Sequence, residues 1–165
     1  MFIPKIPDNR LSDKIKRLTE LCKKQAKEYG EDATWFKPSV SDAVIEKWEK
    51  GNNIVLPSSY KCWLNFSGKA CVRNYLAYFY DISEFIFDND IVGKDLIIIG
   101  ELWGDGELLC FSKINGTMIV FDHGEAEIIE DFEEILDELI RILEGESSIS
   151  EEMDDLLLSM LNESK

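Results

Sequence analysis

The chain has 165 residues, 45% of them hydrophobic, and a formal net charge of -15. That length suits one globular domain, and that apolar content is too high for a disordered chain. No apolar run approaches the roughly 20 residues that span a bilayer. The start, Met1 to Pro7, lacks the basic, apolar and small-residue order of a signal peptide, so a cytoplasmic location is expected.

A first helix is predicted from about Asp8 to Tyr29, stopped by Gly30. Leu11, Ile15, Leu18, Leu21 and Cys22 recur on one of its faces. The other face carries Lys14, Lys16, Arg17, Lys23, Lys24 and Lys27 and reads as a solvated basic face. Residues 31–38 read as a loop. Ser41 caps a second helix, Asp42 to Lys50, with Val44, Ile45 and Trp48 as its buried stripe and Gly51 as its end. A short third helix, capped by Ser58 or Ser59 and running through Phe66, turns Tyr60, Trp63 and Leu64 inward.

The period then changes. Cys71 to Tyr80 is aromatic and β-branched and predicts one strand or two short ones. Strands follow at Leu96 to Ile99, Leu108 to Lys113 and Thr117 to Phe121. Gly104-Asp105-Gly106 breaks the first pair, and Asn115-Gly116, a strong hairpin signal, joins the second. Glu127 to Leu143 returns to helix, with Ile128, Phe132, Ile135, Leu136, Leu139, Ile142 and Leu143 apolar. A break at Gly145 to Ser148 precedes a last helix through Leu161, started by Ser148 and Glu151 at capping-box spacing. The expected class is α+β, an antiparallel β-meander sheet packed with N-terminal and C-terminal helices in one domain over 1–165.

Reactive groups are sparse. His123 is the only histidine, and Cys22, Cys62, Cys71 and Cys110 form no C-x-x-C pair. The cysteines read as reduced, mostly buried thiols, and a Cys/His zinc site of the usual spacing is not available. Cys62, Cys71 or Cys110 could be a nucleophile with His123 as base, but nothing in the spacing supports it. Asp88-Asn89-Asp90-Ile91-Val92-Gly93 resembles a calcium loop at its first, third and sixth places. It has Val92 at the fifth, and Ile99 where a bidentate Glu belongs. No enzyme activity, metal or cofactor is expected.

The charge is uneven. Residues 1–73 hold 14 Lys/Arg and 9 Asp/Glu, whereas residues 74–165 hold 4 and 24. Such a field repels nucleic acid and anionic membrane and attracts a basic protein. Plain solubility is the competing reason for it.

Several short motifs stand in a recognisable order. They are Val44-Ile45-Glu46, Ile54-Val55-Leu56-Pro57-Ser58-Ser59-Tyr60, Trp63-Leu64, Asn65 to Gly68, Ile99-Gly100, Gly104-Asp105-Gly106, Asn115-Gly116, Val120-Phe121-Asp122-His123 and Asp131 to Leu136. Together they resemble the SUKH superfamily over about Ser41 to Leu139. That group includes bacterial immunity proteins of polymorphic toxin systems and the eukaryotic Smi/Knr cell-wall regulators. The chain departs from the pattern at Ile129-Glu130-Asp131, at Ser67-Gly68 where a double glycine is usual, and throughout Asn74 to Asp95. The resemblance implies a protein that binds and neutralises a cognate toxin domain, a nuclease being one kind. The alternative it implies is a regulator or scaffold that binds a cellular partner with no toxin involved.

The contact surface is expected at Trp103, Asp105 and Glu107 in the Gly-rich turn, with Asp88 and Asp90 nearby in sequence. An aromatic flanked by acids in a loop can act as a hot spot. Trp103 reads equally well as a partly buried core residue.

Overall fold

The computed structural model describes residues 1–163, apart from the side chains of 146–151. Four helices, α1 (Ser12–Tyr29), α2 (Asp42–Asn52), α3 (Ser58–Leu64) and α4 (Phe132–Glu163), accompany seven strands. These are β1 (Trp35–Phe36), β2 (Ala70–Val72), β3 (Ala77–Phe79), β4 (Leu96–Leu102), β5 (Glu107–Ser112), β6 (Met118–Asp122) and β7 (Glu125–Ile129). The strands lie in the order of the sequence and every neighbouring pair is antiparallel, so the sheet is a meander. The α+β class expected from the sequence is borne out.

Aromatic residues join the helices to the sheet. Tyr60 and Trp63 of α3 are fully buried. The Trp63 ring lies 5.1 Å from Phe79 of β3 and 5.4 Å from Phe132 of α4, and Tyr60 lies 5.1 Å from Phe132. Edge-to-face pairs at such spacings add to the burial itself. Leu11, Ile15, Leu18 and Leu21 of α1 pack in the same core as Leu136, Leu139 and Leu143 of α4.

Several local expectations are corrected. α1 begins at Ser12, because the Asn9 carboxamide accepts the Leu11 N–H and Ser12 Oγ accepts the Asn9 N–H in a preceding turn. α2 runs through Gly51 and ends at Asn53, whose φ of 52° is a conformation asparagine tolerates. Val44 is exposed. Neither serine caps α3. Ser59 is buried, and its Oγ accepts the Phe132 N–H at 3.0 Å, so this hydroxyl holds the start of α4 instead. The expected loop at 31–38 contains β1.

Asn115-Gly116 lies in a four-residue loop closed by Ser112 and Thr117, with Gly116 alone at positive φ. The two-residue turn is His123-Gly124, with φ of 45° and 95°, and it returns the chain into β7. This is why the helix expected from Glu127 starts only at Phe132. α4 is unbroken at Gly145, since one glycine costs about 1 kcal/mol and does not by itself end a helix. The capping box expected of Ser148 and Glu151 lies outside the described side chains. β4 also continues past Gly100. A bulge falls between Ile98 and Gly100, and a Cβ on Gly100 would sit 2.6 Å from the Tyr78 carbonyl oxygen, so only glycine fits.

Candidate functional site

Three hairpin turns meet at one end of the sheet: 73–76 between β2 and β3, 103–106 between β4 and β5, and 123–124 between β6 and β7. This end concentrates left-handed backbone. Arg73, Asn74, Tyr75, Trp103 and His123 all have positive φ without being glycine. Trp103, at 63°, is held by its N–H, which donates to the Leu76 carbonyl at 2.6 Å. A bulky residue in this region costs on the order of 1–3 kcal/mol and persists only where its surroundings enforce it.

The Trp103 side chain is half-buried and leans toward the helical face. It lines a groove of about 410 Å³ between the sheet and α4. The floor is aliphatic, from Val120, Ile129, Ile135 and Ile142. The walls are Glu107 of β5, Glu127 of β7, and Glu134 and Glu138 of α4. Strand alternation puts Glu107 and Glu127 on the helical face, and one helical turn separates Glu134 from Glu138. Glu138 is paired with Arg141 in a two-pronged contact, at 2.5 and 2.9 Å. Among the described residues, no Lys or Arg pairs with Glu107, Glu127 or Glu134.

At the mouth, Asp105 and Asp122 add to the same field. Partial burial first, then the charges of Asp105 and Asp122, hold the Glu107 carboxyl above the ordinary carboxylate range. His123 is exposed at the turn and hydrogen-bonded to Asp122, which raises its imidazole above the usual value; Asp105 and Glu107 act in the same direction. The end of the sheet is therefore rich in negative charge, offset in part by His123 on Asp122.

Of the five residues expected at the contact surface, Trp103, Asp105 and Glu107 share this end. Asp88 and Asp90 do not. The bridge between Ile86 and Ile98 sets their loop beside the start of β4, while Trp103 follows its finish at Leu102. Six strand steps, roughly 20 Å, separate Leu96 from Leu102. The sequence reading missed Glu127, Glu134 and Glu138. Glu127 falls in the stretch expected to be helix, and Glu134 and Glu138 are polar positions of that same stretch.

A second concavity, about 640 Å³, lies at the opposite end. Leu56 to Ser59, the 113–116 loop and the start of α4 line it. Its charges are mixed, with Arg10 and Lys113 against Glu130 and Asp131, and Arg10 is already bonded to Asp131 at 3.3 Å. The buried thiols of Cys22, Cys71 and Cys110 offer little nucleophilic character. Burial pushes Cys22 up to about 11 and Cys110 up to about 12. His123 also stands beyond Ile119, the β6 partner of Cys110, at the far end of that strand. Among the described residues, no three His, Cys, Asp or Glu gather as a metal site, and no helix is long and apolar enough to cross a membrane.

The architecture defines an α+β protein whose meander sheet carries its helices on one face and an acidic, aromatic groove at one end. The model of the SMI1 / KNR4 family (SUKH-1) matches residues 39–138, more than half of the chain, and the protein belongs to that family. The match ends inside α4, so it includes Trp103 and all four groove glutamates. No curated protein matches the chain.

Proposed function

We propose that this protein is an immunity protein, which binds a co-produced toxin domain and neutralises it without catalysis. One observation carries the reading within the family. Trp103 and Glu107 converge with Glu127 and Glu134 on an aliphatic groove, and among the described residues no Lys or Arg pairs with these three carboxylates. Like charges gathered at one groove repel each other, and a partner that brings the opposite charge relieves that repulsion. A nuclease fits this chemistry, because a site that holds phosphates is basic. An aromatic anchor beside carboxylates is also a common hot-spot composition, and the positive φ of Trp103 fixes its direction before binding.

The test is co-expression with the product of the adjacent gene. That product alone should arrest growth, and this chain should restore it. A harmless neighbour, or a neighbour that still kills in the presence of this chain, would contradict the immunity reading. A harmless neighbour together with stable binding to a cellular protein would favour the regulatory branch of the family.

A further inference from the structure

The last three turns of α4 leave the body of the protein. Every residue from 152 to 163 is exposed. Yet Met153, Leu156, Leu157, Met160 and Leu161 recur at helical spacing with 53–64% of their surface in solvent. At 100° per residue they occupy one arc about 140° wide, broad enough for a core-facing stripe. Acids stand at its edges: Asp154 between Leu161 and the equally exposed Leu158, and Glu152 and Glu163 beside Leu156. No Lys or Arg stands between Arg141 and Lys165.

From this stripe and its flanks we infer that residues 152–163 form a docking face for a basic amphipathic helix of another protein. The apolar seam provides the driving force, and Lys or Arg at the partner's flanking positions meets Glu152, Asp154 and Glu163. Charge selects this occupant over the others. A second copy would set these acids against the same acids, and an anionic membrane would repel them. The inference stands apart from the toxin reading and from the Trp103 groove.

The probe is a labelled synthetic helix of leucine–lysine heptads, titrated into the full chain by fluorescence anisotropy. A leucine–glutamate helix and phosphatidylcholine–phosphatidylglycerol vesicles serve as controls. Binding to the leucine–lysine helix alone is expected, with one peptide per chain and a monomeric free protein by light scattering. Leu157→Asp with Leu161→Asp should weaken it by about tenfold or more. A contact made by charge alone would instead tighten, because the substitutions add acid. The inference is overturned by the absence of peptide binding, by equal binding of either control, or by undiminished binding to the doubly substituted chain. A dimer that the substitutions dissociate also overturns it. So does loss of peptide binding in a Trp103→Ala/Glu134→Gln chain, which would place the peptide in the groove.

Discussion

α4 has two acidic faces with opposite fates. Toward α1, Asp131, Glu133, Asp137 and Glu144 meet Arg10, Lys14 and Arg17, with contacts of 3.3 Å for Arg10–Asp131, 2.7 Å for Lys14–Asp137 and 2.9 Å for Arg17–Glu144. Toward the sheet, Glu134 joins Glu107 and Glu127, and among the described residues no Lys or Arg pairs with them. The same residue type on one helix meets Lys and Arg of α1 on one side, and on the other Glu134, among the described residues, has no Lys or Arg partner and accepts only the Glu130 N–H, at 3.0 Å. Overall charge conceals this division, since part of the acidity is cancelled internally by the basic face of α1. What remains is concentrated at the turn end of the sheet, around a tryptophan in a costly backbone conformation.

The largest expected effect lies on the uncompensated side. Glu127→Lys with Glu134→Lys should weaken partner binding by roughly a hundredfold or more, about 3 kcal/mol, by calorimetry. The urea midpoint should fall modestly, because Glu134 also accepts the Glu130 N–H at 3.0 Å and sits in the first turn of α4, where an acid is favoured and a lysine is not. Trp103→Ala comes next. A loss of about 2 kcal/mol in affinity is expected, with the circular dichroism spectrum unchanged. Intact affinity would make Trp103 only a packing residue.

Ser59→Ala acts on both faces of α4 through its first N–H. It should cost about 1–2 kcal/mol of stability by urea denaturation and leave affinity unchanged where the chain is folded. Lys14→Met should cost at most about 1 kcal/mol, less at high salt, with no change in binding, since its partners are half-exposed. A seam variant that altered affinity would erase the distinction between the two faces.

The smallest effect is a pH dependence. The Glu107 carboxyl is raised in the folded chain, so folding disfavours its ionised form. No penalty exists below the unfolded carboxylate range, where both states are protonated, and it develops as pH rises through that range to the folded value. Glu107→Gln should therefore stabilise the protein by a fraction of a kcal/mol at neutral pH, and the gain should vanish in acid.

Much of the fold was legible from residue spacing. The apolar face of α1, the Ser41 cap and the inward-turned Tyr60, Trp63 and Leu64 of α3 are local signals, and local signals survive folding. The misses have tertiary causes. Ser59 looked like a cap for its own helix and is instead bonded across the core to Phe132. His123-Gly124 is a weak turn signal because it is not one of the Asn-Gly, Asp-Gly or Gly-Gly pairs that mark two-residue hairpins, so the β7 stretch reads as part of the following helix. That error hid Glu127. Trp103, Asp105 and Glu107 could be grouped from the sequence because they are neighbours in it. Glu134 and Glu138 belong to the groove only through the packing of α4 on the sheet, which no spacing rule reveals.

The central claim is that unpaired groove carboxylates recognise a basic partner. It is tested most directly by the affinity of the purified chain for the product of the adjacent gene, measured from about 0.05 to about 0.5 M salt. The native chain should weaken steeply across that range. A Glu127→Gln/Glu134→Gln chain should start weaker and respond less. Equal affinities and equal salt slopes for the two chains would contradict the account.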